Sequence, residues 1–351
     1  MKKNDKTDNH TRKITGYNSS RGIEYITVHL KKYNLLQKYF IEENVGFLKK
    51  TYIILDFIWC ILRYGCGIND YFQYKFFYRR SFDRKKFIVA RKWKKIVTVC
   101  NGKLKIKEFD DKSIFYQNYS KFLGRDWIDL SNATYDEFHE FVVKFPVSMY
   151  KIKDGSGGNG IGILDYNAIL DLEQKYSELR AMNVILEELI IQNQEMSDFN
   201  PSSVNTLRVV TINTGKTIEI MNAVFRCGNG KGCTDNFHHL GLAALIDIDT
   251  GIVYTRAIDK KNHRYIIHPI SNKQIVGFKI PYWENVLETV KCAADVNKNI
   301  RYVGWDIAIK NDGTICIIEG NSASDPDVVQ MPDQIGKLPF YSRVLDKLER
   351  K

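Results

Sequence analysis

The sequence has no pair of cysteines at C-x-x-C spacing, and its seven cysteines are an odd number. That argues against a disulfide framework and against a tetrahedral zinc site, and it points to buried free thiols in a reducing cytosol. The amino-terminal stretch, residues 1–22, is polar and lacks the apolar core of a secretory signal. No apolar run approaches the roughly 20 residues of a spanning helix. The most apolar, Thr51 to Leu62, is interrupted by Asp56 and reads as a buried or surface-docking helix. Internal repeats, low-complexity tracts and any recognisable nucleic-acid module are also missing, so nucleic acid is supported by net charge alone.

What is present is an ordinary globular composition: 351 residues, 44% hydrophobic, net charge +11. A chain of this size buries a full core and divides into two or three lobes. From Arg79 to Lys95 nine of seventeen residues are Lys or Arg, interleaved with Phe82, Phe87 and Trp93. Such a segment is either a solvated basic helix face or a patch that attracts anionic head groups or an acidic glycan. From Ile23 to about Tyr78 apolar residues recur at helical spacing, as at Leu30, Tyr33, Leu36 and Phe40. Strand-like runs dominate after residue 184, so helices come first and a strand-rich body follows.

The organising stretch is Phe141 to Asp165, read as strand, loop, strand. Lysines stand at Lys144, Lys151 and Lys153, and four glycines at Gly155, Gly157, Gly158 and Gly160 flank Ser156. Glycine lets a backbone take positive φ and approach a ligand closely. The loop matches G-x-G-x-x-G, but a dinucleotide fingerprint should open a helix, and Ile161 to Asp165 reads as a strand. A protein kinase needs H-R-D and D-F-G downstream, and neither follows residue 160. There remains a nucleotide fold in which a glycine hairpin and strand lysines hold phosphates.

A second signal lies between Tyr302 and Asn321. A two-residue turn at Asn311-Asp312 sets Lys310 opposite Gly313 and Asp306 opposite Ile317. Side chains alternate faces along a strand, so Glu319 and Asn321 then share the face of Asp306, and diagonal neighbours can converge on a hard cation such as magnesium. Val184 to Ile191 carries Glu187 and Glu188 inside an apolar run, and a buried carboxylate needs a specific donor.

Together, Lys112, Lys144, the Gly155–Gly160 loop, Glu187-Glu188-Leu189-Ile190, Arg208, Asp306, Glu319 and Asn321 resemble the ATP-grasp superfamily in content and order. Asn205-Thr-Leu-Arg208, Thr234-Asp-Asn-Phe237, His268-Pro269, Gly304-Trp-Asp306 and Ile318-Glu-Gly-Asn321 are similar to its sugar-transfer-associated branch. The resemblance covers about residues 105 to 332. It implies an α+β (mixed α/β) fold holding ATP between two lobes: a lid lobe at about 130–190 and a metal lobe at about 191–332, within a body of 101–332. A helical region at 23–100 precedes the body, and a terminal helix or tail at 333–351 follows it.

In roles, the resemblance implies that Lys112 and Lys144 hold phosphates, with Lys153 and Lys151 as rivals, and that Gly155, Ser156, Gly157, Gly158 and Gly160 form the lid. Glu187, Glu188, Leu189 and Ile190 read adenine. Arg208 and Lys144 are catalytic, and Asp306, Glu319 and Asn321 bind one or two magnesium ions. The implied activity is a cytoplasmic, membrane-peripheral carboxylate–amine ligase of surface polysaccharide assembly. Its partners are a carboxylate-bearing small molecule or glycan and an amine, with residues 79–95 against an anionic membrane or acidic glycan. A non-catalytic nucleotide-binding scaffold and a kinase-type phosphoryl transferase are the alternatives. Two departures from the pattern are Phe145 between Lys144 and Pro146, and Leu240-Gly241 where a double glycine is expected.

Overall fold

A computed structural model of the chain describes residue 40 and residues 46–102, 106–155, 160–230 and 241–348. It is a mixed α+β protein with two compact units. One comprises the described residues up to Val99 with Asp325–Asp346, and the other Cys100–Ser324 with the described residues after Asp346.

The first unit is helical. Helix α1, Phe47–Tyr64, buries Ile53, Phe57, Cys60, Ile61 and Tyr64 at helical spacing and ends on Gly65 in the left-handed conformation. The basic segment is not one uniform patch. Arg84 is buried, donating to both oxygens of Asp56 at 2.7 and 2.9 Å, and Phe87 and Trp93 belong to the core while Phe82 is exposed. Those two rings are therefore unavailable to a partner, although Arg80, Lys85, Arg91, Lys94 and Lys95 stay exposed. Helix α2, Ala90–Asn101, carries the chain to the unit boundary. Helix α7, Leu338–Leu345, and the preceding segment return to this unit, where Gln330 binds the backbone of Ile88 through Oε1 at 2.9 Å and Nε2 at 3.0 Å. Among the described residues no helix is long and apolar enough to cross a membrane.

The second unit begins with helix α3, Lys112–Asn118, capped by Asp111, whose Oδ1 accepts from Ser113 N at 2.8 Å. Lys107–Asp110 is a helical turn, with apolar Phe109 three residues from Ile106, on which the turn begins. A four-stranded antiparallel sheet follows in the order β1-β4-β2-β3: β1 is Trp127–Asp129, β2 Val147–Ile152, β3 Ile161–Asp165 and β4 Val184–Glu188. Helices α4, Tyr135–Lys144, and α5, Leu172–Ala181, share a core with it through Phe138, Val142, Leu164, Leu179 and Leu186.

The expected strand from Phe141 is the end of helix α4. A capping box joins Thr134 and Glu137, Phe138, Phe141 and Val142 recur at three and four residues, and Pro146 turns Phe145 out of helical geometry.

The larger sheet is antiparallel throughout, ordered β11-β10-β5-β6-β7-β8-β9. Its strands are β5 Thr206–Asn213, β6 Ile218–Cys227, β7 Leu242–Ile246, β8 Ala257–Ile258, β9 Arg264–Tyr265, β10 Tyr302–Ile309 and β11 Ile315–Asn321. Every residue of β5 and β10 is buried, as expected of central strands covered on both faces. Helix α6, Trp283–Val296, packs Trp283, Val286 and Val290 into the core with Val209, Phe225 and Trp305.

Candidate active site

The centre of the larger sheet carries charges where its neighbours carry aliphatic groups. Asp306 on β10 lies opposite Arg208 on β5. Arg208 grips it with Nε on Oδ1 and Nη2 on Oδ2, the latter at 2.9 Å, while Nη1 donates to Ser324 Oγ at 3.0 Å. Arg226 on β6 adds Nη2 at 3.0 Å from Oδ2 and is steadied by Thr206 Oγ1 at 2.7 and 2.9 Å. Burial alone would push the Asp306 carboxyl up, but the two arginines outweigh it and hold the group ionised.

The β10–β11 hairpin reaches the expected face by another route. Its turn spans three residues, since Lys310 N donates to Thr314 O at 2.9 Å and Gly313 takes φ 86°. That alone would set Asp306 against Ile318. A bulge between Asp306 and Ile307 shifts the register by one, so Asp306 pairs with Glu319 and Gly304 with Asn321. Asp306 does not face Ile317, which pairs with Ile307; the two deviations cancel in parity and leave Glu319 beside Asp306.

Glu319 makes no hydrogen bond or ion pair among the described residues and keeps contact with solvent. Its proton affinity is nevertheless raised, first by the surrounding protein and then by Asp306, against the pull of Arg208, Lys112 and Lys151. Asn321 Oδ1 accepts from Ala323 N at 2.9 Å.

The smaller sheet supplies the opposite charges. Glu187 on β4 is buried and fully engaged, with Oε1 on Lys151 Nζ at 2.5 Å and Oε2 accepting from the Tyr116 hydroxyl at 2.7 Å and Arg125 Nε at 3.0 Å. Burial would raise its pKa, but Arg125 and Lys151 bring it down to about 2. Glu188 pairs with Lys310 at 3.1 Å, and Leu189 and Ile190 continue as coil.

The lysines separate clearly. Lys112 Nζ reaches the carbonyl of Gly155, at the foot of the glycine loop, and burial lowers its pKa against the pull of Glu319. Lys151 shares the field of Lys112 and Glu319. Lys153 is bound to Asp129 at 2.6 Å and to Ser131 Oγ. Lys144 is not brought to this group: it ends helix α4, points to solvent and pairs with Asp126 at 2.6 Å. Gly160 is described, with φ 75°, whereas Ser156, Gly157, Gly158, the Thr234–Phe237 motif and Leu240 lie outside the described residues.

Two other motif residues are structural ties. Asn205 Oδ1 accepts from Gly228 N at 3.1 Å, and His268 Nε2 meets Gly228 O at 2.7 Å. Burial lowers the His268 pKa, so the ring is neutral and donates from Nε2.

Sequence reasoning missed Arg226, Arg125 and Tyr116. Arg226 had a signal, a charge directly after the apolar Ala223–Phe225 of β6; Arg125, in a turn, had none. The donors at the hairpin suit magnesium. Asp306, Glu319 and Asn321 offer hard oxygens, Asp306 retains lone-pair capacity beyond its arginine contacts, and Glu319 is, among the described residues, an unpartnered carboxylate beside a second one. Among the described residues no group of three His, Cys, Asp or Glu forms a metal cage, which agrees with magnesium's preference for a few carboxylates plus substrate phosphates.

The family model for sugar-transfer associated ATP-grasp matches residues 94–344. No curated protein matches the chain. Among solved structures, it is similar to the ATP-grasp ligase PsnB complexed with minimal precursor, at 13% identity over 68% of this chain and 60% of that one, with a TM-score of 0.43. It is also similar to the ADP complex of purK, N5-carboxyaminoimidazole ribonucleotide synthetase (12%, 69% and 52%, TM-score 0.44). N5-carboxyaminoimidazole synthetase from Staphylococcus aureus complexed with ADP is a third (9%, 69% and 53%, TM-score 0.42). The matches thus span between 52% and 60% of those chains' lengths.

Proposed function

The chain belongs to the sugar-transfer associated ATP-grasp family, and on that footing we propose that it is an ATP- and magnesium-dependent carboxylate–amine ligase acting in surface polysaccharide assembly. The observation that carries the reading is the open Glu319 carboxylate set beside the Arg208–Asp306–Arg226 cluster and within the field of Lys112 and Lys151. Anionic and cationic groups gathered around one open carboxylate suit a metal-bound polyphosphate.

In this reading Lys112 and Lys151 hold phosphates, Lys153 and the Gly155–Gly160 loop cover them, and the backbone from Glu188 to Ile190 takes the adenine. Glu187 serves by holding Lys151, and Lys144 takes no part. Asp306, Glu319 and Asn321 would hold magnesium, which when bound supplies charge neutralisation at the phosphates. Arg208 and Arg226 face the transferred group. A substrate carboxylate oxygen attacks the γ-phosphorus, the bond to ADP breaks, and an acyl phosphate forms. The amine lone pair then attacks the acyl carbon, phosphate leaves with the bonding pair, the amine loses a proton, and an amide results. No protein nucleophile is needed, because fixed charges carry phosphoryl transfer. The exposed cations Arg80, Lys85, Arg91, Lys94 and Lys95 suit an acidic glycan or an anionic membrane at the cytoplasmic face.

The test is mass spectrometry of products after incubation with ATP, magnesium and a panel of uronic-acid sugars and amino acids. An amide with equal amounts of ADP and phosphate supports the ligase. A phosphorylated sugar with no amide would replace it with a kinase.

A further inference from the structure

Arg125 follows the 3-10 turn Ser120–Phe122 and precedes β1, with its guanidinium buried. A guanidinium carries five N–H donors and no acceptor, and here the donors reach five acceptors. Nε donates to Glu187 Oε2 at 3.0 Å; Nη1 donates to the carbonyls of Leu123 and Ile317, both at 3.0 Å; Nη2 donates to the Tyr116 hydroxyl at 2.6 Å and to the Ile318 carbonyl at 3.4 Å.

Two of these acceptors have a special position. Ile317 is the partner of Ile307 before the register shift, and Ile318 is the extra residue of the bulge, immediately ahead of Glu319. On its other side the same guanidinium holds Glu187, whose second oxygen holds Lys151. One rigid, planar group therefore spans from β4, whose Glu187 holds the phosphate-side lysine of the neighbouring β2, to the irregularity that sets the metal-side carboxylate. A lysine could neutralise Glu187 but has no fork to reach the β11 carbonyls as well.

We infer that Arg125 is a positioning residue that fixes Lys151 and Glu319 relative to each other, so that nucleotide and divalent cation bind as a linked pair. The inference rests on the ligase reading for the roles of those two groups. Linkage is reciprocal: if magnesium tightens ADP by some factor, ADP tightens magnesium by the same factor. A residue that merely stabilises the fold would lower the melting temperature or both affinities without changing that factor.

The experiment is calorimetric titration of the full chain with ADP, with and without magnesium, alongside thermal unfolding. For Arg125→Lys, the affinity for ADP alone should stay within about threefold of the unaltered protein, while the factor by which magnesium tightens ADP should fall at least tenfold. Tyr116→Phe, which leaves the bonds to Glu187 Oε2 and Ile317 in place, should keep the factor. Should Arg125→Lys fail to unfold cooperatively, Glu187→Gln cuts the same link from the lid side and must lower the factor too. An unchanged factor in the folded variant overturns the inference and leaves the ligase reading standing. Absence of any ADP binding by the unaltered protein overturns the ligase reading, and the inference with it.

Discussion

Asp306 and Glu319 stand opposite each other across the last two strands of the larger sheet, and their surroundings drive them apart. Against burial, Arg208 and Arg226 hold the Asp306 carboxyl well below its usual range; the surrounding protein and the Asp306 charge push Glu319 above its own. Asp306 is thus fixed in place by two arginines, whereas Glu319 is held by no hydrogen bond or ion pair among the described residues.

The first prediction is a contrast in stability. Asp306→Ala takes the shared carboxylate from two buried guanidiniums and should cost about 3–5 kcal/mol, the usual penalty for breaking a buried pair by removing one partner. Glu319→Ala removes no hydrogen bond or ion pair among the described residues and should melt within about 2 °C of the unaltered protein. Thermal unfolding of the two variants checks both values.

A second concerns pH. Glu187 has its pKa lowered from 4.5 to about 2 in the folded protein. A depressed carboxyl contributes stability that is present above the unfolded value and lost as pH falls through the folded one. With about 1.4 kcal/mol per pK unit, the contribution is of order 3 kcal/mol, disappearing between roughly pH 4.5 and pH 2. Urea unfolding across that range should show the slope, and Glu187→Gln should flatten it.

Third, the lysines should differ in nucleotide binding. Lys151→Met should weaken ADP at least tenfold, whereas Lys144→Ala, which removes an exposed pair with Asp126, should change it less than twofold. Titration calorimetry decides; equal losses would return Lys144 to the site.

Fourth, Gly228 is held at both its N–H and its carbonyl, and a Cβ there would lie 2.1 Å from Asn200 Nδ2 and 2.8 Å from Ser203 Oγ. Asn200 is buried, with Nδ2 bonded to Ser203 Oγ at 2.7 Å. Gly228→Ala should therefore destabilise by about 1–3 kcal/mol, measured as a shift of the denaturation midpoint at unchanged slope.

Much of this arrangement was legible in the sequence because it rests on local patterns. The strands β5, β6, β10 and β11 follow from apolar runs with turn residues between them, and the site acids stand out as charges within such runs. The segment from Phe141 was misread because Phe, Val and Val suit a strand or a helix equally, and the Thr134–Glu137 box decides for the helix. Asp306 and Glu319 fell on one face through two unforeseen irregularities, a longer turn and a bulge, whose effects cancel. Arg125 and Arg226 were out of reach for another reason. Their roles depend on contacts across 62 and 80 residues of chain, respectively: Arg125 to Glu187 and Arg226 to Asp306. No local spacing encodes such a pairing.

Lys112, Lys151 and Glu319 are proposed to border an ATP–magnesium site. Calorimetric titration of the unaltered protein and of Glu319→Ala with ADP, at saturating magnesium, tests it most directly. The unaltered protein should bind, and Glu319→Ala should lose at least tenfold in affinity while keeping its melting temperature. Equal affinities in the two proteins would contradict it.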